Sequence, residues 1–406
     1  MIFRLVIFFS FIILIEVYAF YAFKIVLKNK TYEYIYIAIN VLIIAYIIYS
    51  FTQFDRTTGQ TSQSLFVVGL LFITFIPKLV LSGFLFLEDI TRLIRGIFNL
   101  LSSENKPFLP KRREFISQIA IFTASIPFFS ILYGVTKGKY NFKVIKQKIT
   151  FKNLPDAFHG FTITQISDIH SGSLDNQEKV DQAIATINEL NSDMVVFTGD
   201  IVNTLAKEFY PWIESFKKIT PHKYGKFSIL GNHDYGEYLD WRGNEKAKSE
   251  NFLAIKNLHQ AIDFQLLLNE NQTISKNNQT ISILGVENWG KSFKKAGDLS
   301  KTLHNVNPDS FKILLSHDPS HWDNEVQNYH IPIDLTLSGH THGLQFGIEI
   351  PGFFKWSPVQ YVYKQWAGLY QNAERYLYVN RGFGFHGYPG RVGIMPEITQ
   401  ITLLKD

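Results

Sequence analysis

The sequence predicts an α/β domain carried behind an all-α membrane region, and three observations predict it. Apolar residues crowd into the first third of the 406-residue chain. After Tyr140, short β-branched runs ending in Gly, Asp, Asn or His alternate with amphipathic helices. All 12 histidines stand at or after His159, where metal or acid–base chemistry would use them. The division falls between a helical anchor, 1–140, and a domain over 141–406, and at about 100–200 residues per domain a single small domain is excluded. The absence of cysteine excludes disulfide frameworks, thiolate nucleophiles, iron–sulfur clusters and Cys-ligated zinc. Met1 to Lys139 holds 14 Lys+Arg against 7 Asp+Glu, so the remainder carries −2 against a whole-chain +5. The basic excess thus lies beside apolar spans, where it reads as membrane topology, and nucleic acid is not an expected partner for the mildly acidic remainder.

A membrane-crossing helix needs about 20 mostly apolar residues. Leu5 to Phe23, Tyr34 to Phe51, Leu65 to Leu87 and Phe115 to Tyr133 each qualify, which makes the lipid bilayer a partner and the protein an integral, multi-pass one. A cleaved signal peptide would account for the first span alone. Lys24, Lys28 and Lys30 fill the first loop and Arg92, Arg95, Lys106, Lys111, Arg112 and Arg113 the third, whereas the second has only Arg56. Positive loops favour the cytoplasm, so both termini and the C-terminal domain are expected on the extracytoplasmic side; Lys137, Lys139, Lys143, Lys146 and Lys148 count against this. Arg112-Arg113-Glu114-Phe115-Ile116 resembles a twin-arginine export signal and equally a stop-transfer cluster. Glu16 and Lys78 lie about 17 and 20 Å along their spans at 1.5 Å per residue, so they are placed to pair.

In the second part, 161–167, 194–198, 226–230, 281–284, 311–315, 333–337, 376–379 and 398–403 read as strands. Between the first two, Asp175 with Glu178 offers a cap, and Val180, Ala183, Ile184, Ile187 and Leu190 recur at helical spacing. Phe209, Trp212, Ile213, Phe216 and Ile219 mark a second helix in the same way. Tyr235 to Glu250 and the aromatic-rich Phe346 to Tyr370 read as long irregular segments.

Five strand ends deliver metal-ligand chemistry. They are Asp168-Ile169-His170, Gly199-Asp200, Gly231-Asn232-His233-Asp234, Ser316-His317 and Gly339-His340-Thr341-His342-Gly343. A carboxylate bridges two cations, imidazole suits zinc, iron or manganese, and an Asn carbonyl completes a site without adding charge. Glycine before Asp200, Asn232 and His340 permits the tight turns that ligand-bearing loops need. Singly each motif is common; jointly, at successive strand ends, they point to one metal centre. The other histidines read as structural or surface residues, with His386 undecided.

At these residues the chain resembles the calcineurin-like metallophosphoesterase family, over about Phe161 to Leu404, and Asn380-Arg381-Gly382-Phe383-Gly384 with Pro396-Glu397-Ile398 is similar to its bacterial membrane-anchored branch. Leu344 departs from it, where a second Gly is expected after Gly343. The resemblance implies an α/β/β/α four-layer sandwich with two divalent ions, Mn, Fe, Zn or Co, at one edge. It implies that Asp168, His170 and His342 hold one ion, that Asn232, His317 and His340 hold the other, and that Asp200 bridges them. His233 is then left to assist the leaving group, with Asp234 beside it to orient it and raise its pKa, and Asn232 to touch the phosphate. Arg381 and Arg391 read either as phosphate clamps or as structural ion pairs.

The implied activity is hydrolysis of a phosphate monoester, diester or pyrophosphate. Phe353, Phe354, Trp356, Tyr361, Tyr363 and Trp366 near the last motif suggest a lipid-linked substrate. Related members that cleave a UDP-diacylglucosamine pyrophosphate make that one alternative; a non-catalytic metal-binding membrane sensor or scaffold, and a nuclease, are others.

Overall fold

The computed structural model describes residues 2–101, 110–350 and 352–406; Lys106, counted above among the loop charges, lies outside them. The chain divides into two compact units, one of Met1–Phe54 and Phe66–Tyr133, the other of Asp55–Leu65 and Gly134–Asp406.

The first unit is built on α1 (Ile2–Leu27), α2 (Lys30–Thr52), α3 (Ser62–Leu101) and α4 (Pro110–Thr136). All four are long and apolar enough to cross a membrane. Lipid is as apolar as a core, so large side chains such as Ile13, Leu42, Phe86 and Phe122 turn outward, and the helices meet instead at small residues. Ala19, Ala22, Ala120 and Ala124 are buried there with Leu81 and Leu85. Glu16 and Lys78 do pair, Oε1 to Nζ at 2.6 Å, and Asn40 Oδ1 accepts a further bond from the same ammonium. An intramembrane charge is thereby matched by an opposite one. The paired arginines are engaged as well: Arg113 Nη1 meets Glu88 Oε2 at 2.9 Å and also binds Asp89, and Arg112 Nη2 donates to Thr91 Oγ1 at 3.2 Å.

The second unit contains, in chain order, β1 (Lys143–Phe151), β2 (Thr162–Ile166), α5 (Gln177–Glu189), β3 (Met194–Phe197), α6 (Ile213–Phe216), β4 (Lys226–Ser228), α7 (Glu245–Ala261), β5 (Gln265–Leu266), β6 (Glu270–Lys276), β7 (Gln279–Gly285), α8 (Leu299–Thr302), β8 (Phe311–Leu315), α9 (Ser320–Asn324), β9 (Leu335–Ser338), β10 (Ile348–Ile350), β11 (Phe354–Trp356), β12 (Gly368–Asn372), β13 (Arg375–Val379) and β14 (Glu397–Lys405). One six-stranded sheet has the order β1-β14-β2-β3-β4-β5, a second β12-β13-β9-β8-β7-β6, and β10-β11 form a separate ribbon. β2 to β5 run parallel, as do β7, β8, β9 and β13, so their carboxyl ends gather on one edge.

Strand alternation builds the layers. Met194 and Val196 face a core shared with Ile281, Ile313 and Leu337 of the other sheet, while Val195 and Phe197 face Ile184, Ile187 and Ile255 of α5 and α7. Beneath the second sheet, Leu314 and Leu377 pack on Leu299 and Trp322 of α8 and α9. This is the four-layer α/β/β/α sandwich. Both sheets are covered on both faces, which explains why their central strands are continuous apolar runs.

Two local expectations are corrected. Asn176, not Asp175, caps α5, accepting from Lys179 N–H at 3.0 Å; Asp175 is taken by Lys139 Nζ at 2.5 Å and Tyr140 Oη at 2.8 Å. The second expected helix is 3₁₀ turns over Ala206–Glu208 and Tyr210–Trp212, then the single α-turn α6. Pro211 removes a backbone donor inside that stretch, so its apolar spacing is met by tight turns instead.

Candidate metal centre

Each motif begins where a parallel strand ends. Leaving the sheet within one or two residues forces unusual backbone: Asp168, His170, Asp200, His340 and His342 have φ of 52°, 46°, 61°, 72° and 49°, all left-handed. Such conformations cost about 1–3 kcal/mol each outside glycine, and their concentration on the residues that bear the chemistry marks a functional site. Glycine is required where the turns touch. A Cβ on Gly339 would stand 1.9 Å from Ser167 Oγ and 2.2 Å from Asp168 Oδ2, and one on Gly199 would stand 2.6 Å from Gly231 N. Leu344 takes φ 53° where the resemblance calls for glycine, and its side chain is turned to solvent.

The turns bring the expected ligands together in two groups. Asp168, His170 and His342 form one and Asp200, His317 and His340 the other, the ligand atoms of each lying within 4.8 Å of one another. Asp200 reaches both: its Oδ2 is 3.1 Å from His317 Nε2 and 3.6 Å from His170 Nε2. Asp168 Oδ1 is 3.3 Å from His342 Nε2, and Asn232 Oδ1 is 2.8 Å from His340 Nδ1.

Whether these residues fit cations is decided by their tautomers and their orphaned atoms. His317 Nδ1 donates to the Thr198 carbonyl at 2.7 Å and His170 Nδ1 to Asn203 Oδ1 at 3.1 Å, so Nε2 of each ring is the atom turned toward the site. His317 Nε2 and His342 Nε2 are buried facing the carboxylates of Asp200 at 3.1 Å and Asp168 at 3.3 Å in poor hydrogen-bond geometry, an arrangement that a bound cation would satisfy. On the far side of His340, Nε2 donates to Tyr363 Oη at 2.8 Å, and Tyr363 donates to Asp318 Oδ2 at 3.4 Å. That line frees Nδ1 for the site. Burial alone would raise Asp200, but His317, His233 and His170 hold its carboxyl well below the usual range. Burial would lower His317, yet the Asp200 and Asp168 carboxylates push it up to about 10. Negative charge this dense in a dry site is what divalent cations satisfy.

Asp234 is elsewhere than expected. It accepts backbone N–H groups from Asp200 and Ile201 at 2.9 Å, Gly231 at 2.8 Å and Val202 at 3.4 Å. Burial and the neighbouring Asp200 push its carboxyl up to about 7 against those donors. It clamps two ligand loops together and does not orient His233, whose Nδ1 instead donates to the Asn203 carbonyl at 2.7 Å. Arg381 and Arg391 are engaged by the protein itself: Arg381 pairs with Glu349, Nε to Oε2 at 2.9 Å, and with Glu397, and Arg391 donates to the carbonyls of Arg381 at 2.6 Å and Gly382 at 3.2 Å and to His342 Nδ1 at 3.0 Å.

Asn203 and Tyr238 are further participants that no motif marks, and His386, undecided from the sequence, is a third. Asn203 is a hub, holding His170, His233 and, at 3.3 Å from its Oδ1, His386 Nδ1. His386 stacks on His170 at 4.8 Å and meets His233 edge-on at 4.4 Å, forming with them a third group of ligand atoms. Tyr238 stacks on His233 at 4.3 Å and accepts from Asn232 Nδ2 at 2.7 Å. The only signal for Asn203 was its place one turn after Asp200; for His386 it was proximity to the Asn380–Gly384 segment.

Comparison with known proteins agrees with this geometry. Residues 161–344 match the calcineurin-like phosphoesterase family, and residues 2–139 match the family described as a probable calcineurin-like phosphoesterase transmembrane domain. The chain is 33% identical over 253 residues to the uncharacterized metallophosphoesterase YkuE of Bacillus subtilis, covering 62% of this chain and 81% of that one. It is 31% identical to the UDP-2,3-diacylglucosamine pyrophosphatase LpxG of Chlamydia trachomatis, covering 57% and 81%. A transmembrane protein with a metallophosphoesterase domain from Danio rerio is 28% identical, covering 67% and 60%.

Proposed function

The chain belongs to the calcineurin-like phosphoesterase family, as an integral-membrane hydrolase of phosphate ester or anhydride bonds, and from that premise we propose that it uses a dinuclear centre. The observation that carries this reading is Asp200, within 3.6 Å of an imidazole from each ligand group. Asp168, His170 and His342 would hold one ion, Asn232, His317 and His340 the second, with Asp200 between them. Mn, Fe, Zn and Co all suit nitrogen and oxygen donors of this kind. Two such ions supply charge neutralisation of a phosphoryl group and acidify a water for in-line attack.

The chain's own residues supply the rest. His233 ligates neither group, and its Nδ1–H is fixed on the Asn203 carbonyl, so Nε2 is the atom that gives a proton to the departing oxygen. The His233 N–H on Asp200 Oδ1 at 2.8 Å holds that turn in register with the ligands. Asn232 is steadied by Tyr238 so that its amide serves both ion and phosphate. The anchor, the exposed aromatics after His342 and the lipid pyrophosphatase among the relatives support a lipid-linked phosphate or pyrophosphate as substrate. The distribution of Lys and Arg over the loops supports an extracytoplasmic active site.

The test is metal-dependent hydrolysis by the detergent-solubilised full chain, with each metal, of a nitrophenyl monoester, the bis-nitrophenyl diester and a lipid-linked pyrophosphate. We expect turnover of at least one, and a loss of about 10²–10⁴ in kcat for His233→Ala with bound metal unchanged. Bound metal without turnover of any of the three would favour the sensor or scaffold reading.

A further inference from the structure

The ribbon β10–β11 is amphipathic in the reverse sense to one folded for water. Ile348 pairs with Trp356 and Ile350 with Phe354, so these share one face, while the Glu349–Lys355 pair occupies the other. The charged face turns toward the body. Glu349 is held by Arg381, and Lys355 Nζ donates to the Ala367 carbonyl at 2.6 Å and Tyr370 Oη at 3.1 Å. The apolar face is left outside: Ile348, Ile350 and Phe354 are 53%, 50% and 47% exposed. Phe353, in the ribbon's turn, is 86% exposed, and Tyr361 and Val362 on the following turn are each 78% exposed. A cluster of large apolar side chains held outward by a clamped polar face marks an interaction surface.

The surroundings identify what covers it. The ribbon is rooted by Gly347 N–H on the Val392 carbonyl at 2.9 Å and Val392 N–H on the Gln345 carbonyl at 2.8 Å. The neighbouring Arg391 N–H binds the carbonyl of Gly134, in the last turn of α4, at 3.2 Å. The surface is therefore tied, within its own unit, to Gly134, the first residue after the last apolar stretch, and the chain's connectivity tethers that unit at a bilayer. Aromatic and aliphatic side chains flanked by polar ones suit the boundary between headgroups and acyl chains.

We propose that β10–β11, with Phe353 in its turn and Tyr361 and Val362 on the turn that follows, dips into the lipid surface. The ribbon lies between His342 and Tyr363, which touches His340, so its immersion would hold the ligand-bearing edge at that surface. The inference rests on the anchor and the ribbon's exposed face, and stands whichever phosphate the centre hydrolyses.

The cysteine-free chain allows a direct test. Single-cysteine variants Phe353→Cys, Tyr361→Cys and, as an exposed control on α7, Leu253→Cys are labelled with an environment-sensitive fluorophore. The full chain is reconstituted in phosphatidylcholine–phosphatidylglycerol vesicles with or without phosphatidylcholine spin-labelled near the headgroup. Quenching at 353 and 361 should exceed that at 253 by about threefold or more, given burial about 5–10 Å into the interface. Equal quenching at all three positions would overturn the proposal. So would protection of 353 from an aqueous quencher without lipid quenching, with cysteine cross-links between copies, which would make the ribbon a contact between chains. Unchanged metal content in each variant establishes that the fold is intact.

Discussion

Replacing Tyr363 by Phe removes one oxygen from a line of three groups that fixes the proposed metal ligand His340. His340 Nε2 donates to Tyr363 Oη at 2.8 Å, and that hydroxyl donates to Asp318 Oδ2 at 3.4 Å. With the proton held on Nε2, the Nδ1 lone pair and Asn232 Oδ1, 2.8 Å apart, have no proton between them and are left for a shared cation. Without the hydroxyl, a buried N–H loses its acceptor, and the ring is drawn toward Asp318 Oδ2, 3.6 Å from Nε2 in the intact protein. Loss of such an outer partner lowers metal affinity by about 10–100-fold, or ~1.4–2.7 kcal/mol. Titration of the solubilised full chain with Zn or Mn against a competing chelator reads this directly, and thermal unfolding without metal controls for the fold. An affinity within about twofold of the parent would refute the argument that Tyr363 orients His340.

Other outcomes follow from the same geometry. Glu16→Gln or Lys78→Met alone leaves an unmatched charge among the helices, worth about 2.5–3.5 kcal/mol at a membrane helix centre, so the double variant should be more heat-stable in detergent than either single one; a double variant no better than the worse single would contradict the pairing. His259 is fully buried on α7, its Nδ1 2.9 Å from Ser228 Oγ, and burial lowers its pKa to about 3. The unfolded chain takes up that proton near pH 6.5, so this contribution is complete above pH 6.5 and falls as the pH drops, by about 2 kcal/mol at pH 5. Denaturant unfolding of His259→Gln should therefore lose less stability between pH 7.5 and 5 than the parent, by about that amount; equal losses would contradict the assignment.

The candidate centre was legible because the residues proposed as its ligands sit at the ends of continuous apolar strands, where each motif is local. Its supports were not, because they come from distant loops: Asn203 meets His386 across 183 residues, and Asp318 meets Tyr363 across 45. Asp234 was misread because sequence adjacency to His233 does not reveal that its carboxylate turns back on the amides of 200–202. β1 was missed because Lys143, Lys146 and Lys148 interrupt its pattern on an edge strand, and α7 because its first turns, Glu245 to Asn251, are almost wholly polar. Among the membrane helices, apolar length was sufficient to identify each one, and depth arithmetic sufficient to pair Glu16 with Lys78.

The measurement that bears most directly on the dinuclear reading is metal content, set beside hydrolysis, for the reconstituted full chain and for His340→Ala and Asp200→Asn. A dinuclear centre should give about two divalent ions per chain in the parent, about one in His340→Ala, fewer still in Asp200→Asn, and loss of turnover in both variants. A parent that binds a single ion, or an Asp200→Asn variant that keeps the full metal complement and its activity, would contradict a centre built on a bridging Asp200.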